Sequence, residues 1–260
     1  MHGNLDLRDV ARQTFGARAA FYATSAAHTD PQVLARLLEL AAPARVSCAL
    51  DVATGTGHTA FALSPRADVV IGVDLTCQML EQARLRATEL ALNNVRFQVA
   101  DALALPFSDA AFGVVTCRRA AHHFTDISRA LSEMWRVMRP GGRLVIDDRS
   151  VPEDDFIDRA MNELDRLHDE SHVRQYRPSE WETLLNEAGF SVQTVEPYFR
   201  HRPLNSLTEN VSPQHTARIH AKLDALTWEE RAKLNIAEVD GVVHINHWYV
   251  MLSAVKRTGG

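Results

Sequence analysis

Short runs of apolar, largely β-branched residues alternate with longer amphipathic stretches through the middle of the chain. The runs predict five strands, at positions 48–52, 69–74, 95–100, 112–117 and 143–147. Between them, segments 76–92 and 126–138 carry apolar residues at helical spacing. Strands that alternate with helices in this way are typical of a parallel sheet with crossover helices. The pattern therefore predicts an α/β fold.

The same alternation continues beyond position 177. A helix is predicted over 181–188, after Pro178 and before Gly189, because proline favours a first helical turn and glycine a helix end. A strand-like segment follows at 190–195, and the last strand is expected at about 247–255. The sheet is thus expected to gain two strands after this helix.

Three segments do not follow the alternation and are predicted to be mainly helical: 1–44, 152–177 and 204–237. In an open parallel sheet, ligands bind over the carboxyl ends of the strands. Insertions that follow the fifth and sixth strands emerge at that edge. We therefore predict that these segments form a lid and walls around a binding site.

Composition and charge disfavour several classes of protein. The formal net charge of -5 and the pI of about 6.2 give no overall attraction to a polyanion, which disfavours a nucleic-acid partner. The three cysteines are scattered without CxxC spacing, which is typical of reduced thiols. The charged start disfavours a signal peptide, and no apolar run is long enough to cross a bilayer. A cytoplasmic protein is expected, and a homodimer is left open.

A glycine-containing loop follows the first predicted strand, and a carboxylate lies near the end of each of the first three. The loop is Ala53-Thr54-Gly55-Thr56-Gly57, and the carboxylates are Asp51, Asp74 and Asp101. Segment 55–60 also fits the fingerprint of dinucleotide-binding loops. A carboxylate at position 51 would repel a pyrophosphate, but it suits the cationic sulfonium and ammonium groups of S-adenosylmethionine. The charge pattern therefore favours S-adenosylmethionine over a dinucleotide.

Each carboxylate can have a separate task at such a cofactor. Asp51 suits the positive methionine end, Asp74 can accept hydrogen bonds from both ribose hydroxyls, and Asp101 can accept one from the adenine amino group. Leu75 and Met79 could pack on the adenine faces. The alternative for each aspartate is an ordinary turn or helix cap after a strand. Three aspartates in equivalent places make that alternative the weaker one.

Five motifs follow one another between positions 49 and 148. They are 50–57 (LDVATGTG), 72–80 (GVDLTCQML), 101–107 (DALALPF), 122–124 (HHF) and 136–142 (RVMRPGG). In this order they resemble the motifs of the class I S-adenosylmethionine-dependent methyltransferases, most closely the branch similar to the ubiquinone and menaquinone biosynthesis methyltransferases. The motifs are specific for cofactor and fold, and carry almost no information on the substrate.

This resemblance implies a Rossmann-like, seven-stranded sheet in the order 3-2-1-4-5-7-6, with the last strand antiparallel and helices on both faces. It also implies methyl transfer from S-adenosylmethionine, with S-adenosylhomocysteine as the product. The backbone of the residue just beyond the fourth strand is expected to face the cofactor. Together with a tyrosine of the N-terminal segment whose ring could close over the sulfonium, the predicted cofactor contacts are Tyr22, Asp51, Ala53, Thr54, Gly55, Gly57, Asp74, Leu75, Met79, Asp101, Ala102 and Arg118.

The resemblance also assigns the segments of the chain. We predict a single methyltransferase domain over 1–260, with an N-terminal helical lid at 1–44, a cofactor-binding core at 45–148, and substrate-side insertions at 149–177 and 198–237. The identity of the acceptor is therefore expected to depend on the lid and the insertions.

Two positions in the sequence differ from motifs found in other class I methyltransferases. Ala53 stands where many class I enzymes have glycine, although alanine also occurs in the similar branch. The fourth strand is followed by Arg118-Arg119-Ala120, not by the Asn-Pro-Pro-Tyr type of motif used on nucleobase amines. We therefore expect transfer to carbon or oxygen of a small molecule. The alternatives are a relative that binds the cofactor for another reaction, a non-catalytic cofactor-binding subunit and, more remotely, a nicotinamide-dependent oxidoreductase.

Histidines after the fourth strand are candidates for acid–base catalysis. Methyl transfer needs alignment and exclusion of water, and some acceptors must also lose a proton. His122 and His123 lie where a general base would be, and imidazole suits the deprotonation of a phenol or enol near neutral pH. The alternative is that one of them caps the next helix or contacts the cofactor.

The insertion after the fifth strand carries a second set of candidates. His172 and Arg174 could bind or deprotonate an acidic acceptor. The alternative is a solvated charged helix whose aspartates and arginines pair with one another. No metal ion is expected, because a catechol-type site needs carboxylates after both the fourth and the fifth strand, and only the fifth has them. A basic cluster at 200–202 follows the sixth strand and could contact an anionic substrate group, although a solvent-facing loop is the simpler expectation.

Overall fold

An eight-stranded sheet forms the centre of the molecule. The computed structural model describes residues 6–25, 28–41 and 44–257. The strands are β1 (Val46–Val52), β2 (Ala67–Asp74), β3 (Val95–Val99), β4 (Phe112–Arg118), β5 (Met138–Arg149), β6 (Phe190–Pro203), β7 (Ala237–Val239) and β8 (Val242–Lys256). Their order is β3-β2-β1-β4-β5-β8-β6, and β7 pairs with β8.

The strand order confirms the predicted α/β class and adds one strand. The strands from β3 to β5 in this order are parallel, and β8 is antiparallel to both β5 and β6. The sheet has eight strands instead of seven because Asp240 and Gly241 form a tight turn with φ angles of 50° and 78°. Positive φ at both central residues suits a two-residue hairpin, so Val239 pairs with Val242.

Helices cover both faces of the sheet. They are α1 (Leu7–Ala17), α2 (Ala19–Thr24), α3 (Pro31–Ala41), α4 (His58–Leu63), α5 (Cys77–Glu89), α6 (Ile127–Val137), α7 (Asp155–His168), α8 (Pro178–Glu187), α9 (Pro213–Asp224) and α10 (Trp228–Lys233). Helices are therefore present in all three segments for which the sequence predicts them. None of the helices in the described ranges is both long and apolar enough to cross a membrane.

Two apolar layers hold the helices against the sheet. On one face, Met134 of α6 and Trp181 of α8 are completely buried in a cluster with residues of the strands. On the other face, Leu37 of α3 and Leu63 of α4 are completely buried in a second cluster. Burying one such side chain contributes roughly 1.5–3 kcal/mol. These layers fix the carboxyl ends of the parallel strands along one edge of the sheet.

The two insertions pack on each other at that edge. Met161 and Leu164 of α7 share a separate apolar cluster with Ile219 and Leu223 of α9. Because α7 begins shortly after the carboxyl end of β5, this cluster lies beside the edge where the parallel strands end. The insertions thus have an apolar core of their own, which supports side chains that face the edge.

The β6–β8 hairpin is longer than predicted. β6 continues to Pro203 and β8 begins at Val242, beyond the expected boundaries at 195 and 247. Residues 200–202 therefore pair with 245–247 inside the sheet, and their predicted location in a loop is wrong. Charged and polar residues interrupt the apolar alternation in this part of the hairpin, so periodicity alone does not reveal it. The second insertion accordingly begins after β6, at Leu204, and not at 198.

Candidate functional site

A cavity opens at the carboxyl ends of β1, β2 and β4. Its volume is about 1080 Å³, part of which is open to solvent, which is at the upper end of the roughly 300–1,000 Å³ typical of small-molecule sites. Helices α1 and α2 cover it from outside. The predicted cofactor contacts that line it are Tyr22, Ala53, Thr54, Gly55, Asp74, Leu75, Met79, Asp101, Ala102 and Arg118.

The loop after β1 turns sharply beside this first cavity. Ala53, Gly55 and Gly57 all have positive φ angles, of 52°, 54° and 90°. A Cβ atom on Gly55 would meet no atom within 4 Å, so this backbone borders open space in the cavity wall. A Cβ atom on Gly57 would lie 2.6 Å from the ring of Phe61. Gly55 therefore leaves room for a ligand, whereas Gly57 allows the loop to pack on α4 and does not itself line the cavity.

Asp51 lies behind the loop and does not line the cavity. Its carboxylate accepts hydrogen bonds from the hydroxyls of Thr54 at 2.6 Å and Thr116 at 2.7 Å. Burial raises the pKa of Asp51 to about 6. In the described structure Asp51 orients Thr54 at the cavity wall, and its direct contact with the methionine end of a cofactor stays a prediction.

Asp74 ends β2 in the wall of the first cavity. Its two carboxylate oxygens accept hydrogen bonds from the backbone N–H groups of Gly55 at 2.8 Å and Thr76 at 2.9 Å. Burial raises the pKa of Asp74, although these hydrogen bonds act in the opposite direction. Each oxygen retains a further lone pair. The carboxylate is therefore fixed beside the glycine loop and can still accept hydrogen bonds from a ligand.

Helix α1 reaches across the cavity to Asp101. The carboxylate of Asp101 accepts a hydrogen bond from the backbone of Leu103 at 2.9 Å and forms an ion pair with Arg8 of α1 at 3.3 Å. The Arg8 side chain is 47% exposed and that of Asp101 is 28% exposed, so solvent screens this pair. Helix α1 thus covers the predicted adenine end through a weak polar contact.

The side chain of Arg118 bonds to residues of the cavity wall, whereas the sequence predicted a role only for its backbone. Its Nε donates to the Thr59 hydroxyl at 2.9 Å and its Nη2 to the His28 carbonyl at 2.7 Å. Its buried Nη1 has no hydrogen-bond partner among the described residues. Burial lowers the pKa of Arg118, but a guanidinium remains charged. A buried cation with an unpaired donor beside the glycine loop fits the carboxylate of S-adenosylmethionine, so the residues present fit this cofactor.

A second, more polar cavity adjoins the first. Its volume is about 670 Å³, again partly open to solvent. The two cavities share the side chains of Phe15, Tyr22, His28, Arg119 and His123. The rest of the second wall comes from the segment after β4, from β5, β6, β8 and α7, and from the segment after α7. A ligand in the first cavity would therefore border the second one.

His123 lines both cavities and begins a chain of hydrogen bonds. Its Nδ1 lies 3.0 Å from the Ser171 hydroxyl, which donates to Asp169 at 2.6 Å. An ionised carboxylate can only accept, so the Ser171 hydroxyl gives its proton to the hydrogen bond with Asp169. The Ser171 oxygen therefore accepts from the Nδ1–H of His123, and Nε2 of His123 keeps a free lone pair. Burial would raise the pKa of Asp169, but His123 and the hydrogen bonds from Ser171 lower it overall. We call this chain the His123–Ser171–Asp169 relay.

His122 lies beside His123 and is held by Asp148. Its Nδ1 is 2.6 Å from one carboxylate oxygen, and its backbone N–H donates to the other at 2.9 Å. Burial lowers the pKa of His122 well below its usual value and raises that of Asp148 to about 6. A ring with so low a pKa is a weak base. The geometry therefore makes His123 the better candidate for accepting a proton, with His122 4.0 Å away between ring centres.

The structure separates His172 from Arg174. His172 lines the second cavity, its Nε2 bonds to the amide oxygen of Asn162 at 3.1 Å, and burial lowers its pKa to about 3. Arg174 lines neither cavity and forms ion pairs with Asp158 at 3.2 Å and Glu180 at 2.7 Å. The predicted role of Arg174 at the acceptor is therefore corrected, because two carboxylates already occupy its guanidinium.

Sequence reasoning missed much of the wall of the second cavity. Arg119 lies over the ring of Tyr249, with its guanidinium carbon 3.7 Å from the ring centre. Arg149 forms an ion pair with Asp165 of α7. Arg202 also lines this cavity, which favours the contact with an anionic substrate group that the sequence left open for the basic cluster at 200–202. Arg119 directly follows β4 and Arg149 ends β5. Their position at the carboxyl edge of the sheet is the sequence signal that could have identified them as site residues.

The described part of the chain contains no candidate metal site. No group of three or more His, Cys, Asp or Glu side chains within residues 6–25, 28–41 and 44–257 has a geometry that could hold a metal ion. Three histidines of the second cavity, His123, His122 and His172, instead bond to Ser171, Asp148 and Asn162 respectively. The expectation that no metal takes part stays a prediction.

Comparison with known proteins relates this geometry to methyltransferases. Residues 50–146 match a family model described as a methyltransferase domain. The uncharacterized methyltransferase YcgJ of Bacillus subtilis (strain 168) is 38% identical over 184 residues, which cover 71% of this chain and 73% of that protein. The crystal structure of YcgJ matches with a TM-score of 0.81 and 33% identity, covering 87% of this chain and 98% of that chain.

Two relatives with named acceptors match shorter parts. The demethylmenaquinone methyltransferase of Deinococcus radiodurans is 50% identical over 99 residues, which cover 37% of this chain and 41% of that protein. The 27-O-demethylrifamycin SV methyltransferase of Amycolatopsis mediterranei is 32% identical over 165 residues, which cover 63% of this chain and 60% of that protein. The similarity thus extends over most of the chain for YcgJ and over less for these two.

Proposed function

Because this chain belongs to the S-adenosylmethionine-dependent methyltransferases, we propose that it methylates a carbon or oxygen atom of a small molecule held in the second cavity. The observation that carries this proposal is the wall shared by the two cavities, which includes His123. The names of the two relatives with known acceptors, demethylmenaquinone and 27-O-demethylrifamycin SV methyltransferase, support a small-molecule acceptor.

The first cavity would hold the cofactor. Asp74 would accept hydrogen bonds from the ribose hydroxyls, Asp101 and Met79 would contact the adenine, and Arg118 would bind the methionine carboxylate. When bound, S-adenosylmethionine supplies an electrophilic methyl carbon. Gly55 leaves space for the methionine part to pass the loop.

The protein would contribute alignment, exclusion of water and removal of a proton. The hydroxyl of a phenol or enol would face Nε2 of His123, which takes the hydroxyl proton as the acceptor becomes a nucleophile. Through Ser171, the ionised Asp169 would stabilise the imidazolium that forms. The proton then passes to solvent after product release.

Aromatic side chains of the N-terminal helices would exclude water from this step. The ring of Phe15 packs on His123 with centres 5.0 Å apart and on Tyr22 at 5.7 Å. Tyr22 in turn packs on His28 at 5.0 Å. All four rings line both cavities. They would therefore enclose the reacting atoms and offer aromatic faces to a cation.

The proposal is tested by incubating the protein with methyl-labelled S-adenosylmethionine and a pooled metabolite extract. We expect mass spectrometry to find the label in a small molecule, on carbon or oxygen. Fragmentation of this product locates the methylated atom. Label found only in nucleic acid or protein, or no labelled product while S-adenosylhomocysteine still binds, would count against the proposed function.

The relay predicts a specific effect of S171A. Loss of the Ser171 hydroxyl leaves His123 without its partner, and a hydrogen bond of this type is worth roughly 0.5–1.5 kcal/mol. We therefore expect kcat to fall by about 3- to 10-fold. The KM for the acceptor should change less than kcat, because Ser171 bonds to the base but lines neither cavity.

The matched control for S171A is S150A. The buried Ser150 hydroxyl donates to the Tyr176 carbonyl at 2.7 Å and contacts no histidine. S150A should lower the melting temperature while kcat and KM stay near the wild-type values. If kcat falls no more in S171A than in S150A, Ser171 has only a structural role.

A further inference from the structure

Three arginines face one region of the second cavity. Arg119 follows β4, Arg149 ends β5 and Arg202 lies in β6. All three arginines lie close enough to Tyr249 to affect its hydroxyl. Burial would raise the pKa of this hydroxyl, but the charges of the three arginines lower it overall. The positive charges therefore converge around this tyrosine.

Two of these arginines are neutralised within the protein. Arg119 forms an ion pair with the completely buried Asp147 at 2.9 Å, and Arg149 pairs with Asp165. Within residues 6–25, 28–41 and 44–257, no hydrogen bond or ion pair is found for the guanidinium of Arg202. This wall thus carries a cation that lacks a carboxylate partner among the described residues.

Asp169 is the other carboxylate that lines the second cavity besides Asp165, and it is hydrogen-bonded to Ser171. Asp169 accepts two hydrogen bonds from Ser171, one from its hydroxyl and one from its backbone N–H at 2.9 Å. Asp169 therefore belongs to the relay and does not neutralise Arg202.

We propose that Arg202 binds a carboxylate of the methyl acceptor, so that the enzyme selects hydroxylated organic acids. This inference rests on the proposed function, because it assigns the second cavity to the acceptor. A guanidinium presents two parallel N–H donors that match the two oxygens of a carboxylate. One unpaired cation fits a monoanion better than the dianion of a phosphate monoester.

The histidines of the second cavity explain why the acceptor should carry a hydroxyl group in addition to a carboxylate. The ring of His168 donates its Nδ1–H to the Leu207 carbonyl at 3.0 Å, which leaves Nε2 as an acceptor. The amide oxygen of Asn162 accepts from the Gln175 backbone at 2.7 Å, so His172 donates to it and keeps Nδ1 as an acceptor. With Nε2 of His123, these rings offer lone pairs. A molecule with a hydroxyl and a carboxylate meets both kinds of group.

The test separates acceptors by charge before the acceptor is identified. A pooled metabolite extract is passed over an anion exchanger at pH 8, and the retained and unretained fractions are assayed with methyl-labelled S-adenosylmethionine. We expect most of the label in products of the retained fraction. Phosphatase treatment of that fraction should leave the incorporation unchanged, since the anionic group is a carboxylate.

The variants R202Q and R202K then test the residue itself, with the retained fraction or the acceptor purified from it. Loss of a charged hydrogen-bonding partner should raise the KM for the acceptor on the order of 10- to 100-fold in R202Q, with a smaller change in kcat. R202K should recover part of the loss. R200Q is the matched control, because Arg200 lies in the same strand, pairs with Asp30 at 3.1 Å and lines neither cavity.

The outcomes are distinguishable. Label in the unretained fraction, loss of incorporation after phosphatase treatment, or an R202Q variant with the KM of the wild type would overturn the carboxylate assignment and leave the proposed function standing. No labelled product from any fraction would overturn the proposed function, and this inference with it. S-adenosylhomocysteine should bind R202Q as it binds the wild type, which excludes misfolding as the cause.

Discussion

Asparagine at position 74 is expected to raise the Kd for S-adenosylhomocysteine on the order of 100-fold or more. The carboxylate of Asp74 accepts the backbone N–H of Gly55 and is proposed to accept both ribose hydroxyls. An amide in its place turns one acceptor into a donor. Two charged hydrogen bonds at about 1.5–3 kcal/mol each account for this magnitude. Titration calorimetry of the D74N variant with S-adenosylhomocysteine measures it.

The matched control is D68N, at the start of the same strand. Asp68 is 61% exposed and pairs with Arg45 on the surface, away from both cavities. D68N should bind S-adenosylhomocysteine with the affinity of the wild type. If D74N keeps its fold by circular dichroism and still binds within a few-fold of wild-type affinity, Asp74 does not bind the ribose.

Loss of the His123 imidazole has the largest expected effect on turnover. In H123Q, no group at this position can take the hydroxyl proton, and general-base catalysis typically contributes about 10²- to 10⁴-fold. We expect kcat to fall within that range, while the Kd for S-adenosylhomocysteine changes by less than about threefold. Steady-state assays with the acceptor and calorimetry with the cofactor product measure the two quantities.

H220Q provides the matched control for H123Q. His220 is exposed on α9 and lines neither cavity, so its replacement should change neither constant. If cofactor affinity falls in parallel with turnover in H123Q, His123 contacts the cofactor or supports its site. That result would favour the alternative that the sequence left open.

The fold was predictable where apolar periodicity and local turns decide it. The five parallel strands follow from short apolar runs, and their order follows from the family resemblance that the motifs within 49–148 carry. β7 was missed because an alternation of only three residues is too short to be recognised, although Asp240-Gly241 is a recognised turn signal. The outer part of β6 was missed for a different reason, since Arg200 and Arg202 interrupt its apolar pattern.

The functional site also has a part that could be predicted from the sequence and a part that could not. The glycine loop and Asp74 could be predicted because strand ends and adjacent loops position them locally. The second cavity depends on contacts between distant parts of the chain, such as Arg119 over Tyr249 and His123 beside Ser171. The pairing of Arg174 with Asp158 and Glu180 is also tertiary, so the sequence could not choose between its two roles.

A structure of the protein with S-adenosylhomocysteine and the isolated acceptor would show whether the two cavities hold the two reactants. We expect the cofactor product in the first cavity and the acceptor in the second. The acceptor hydroxyl should lie within hydrogen-bond distance, about 2.6–3.2 Å, of Nε2 of His123, and its carboxylate should lie on Arg202. An acceptor bound outside the second cavity, or bound inside it with its reacting group turned away from His123, would rule out the proposed roles of this cavity and of His123.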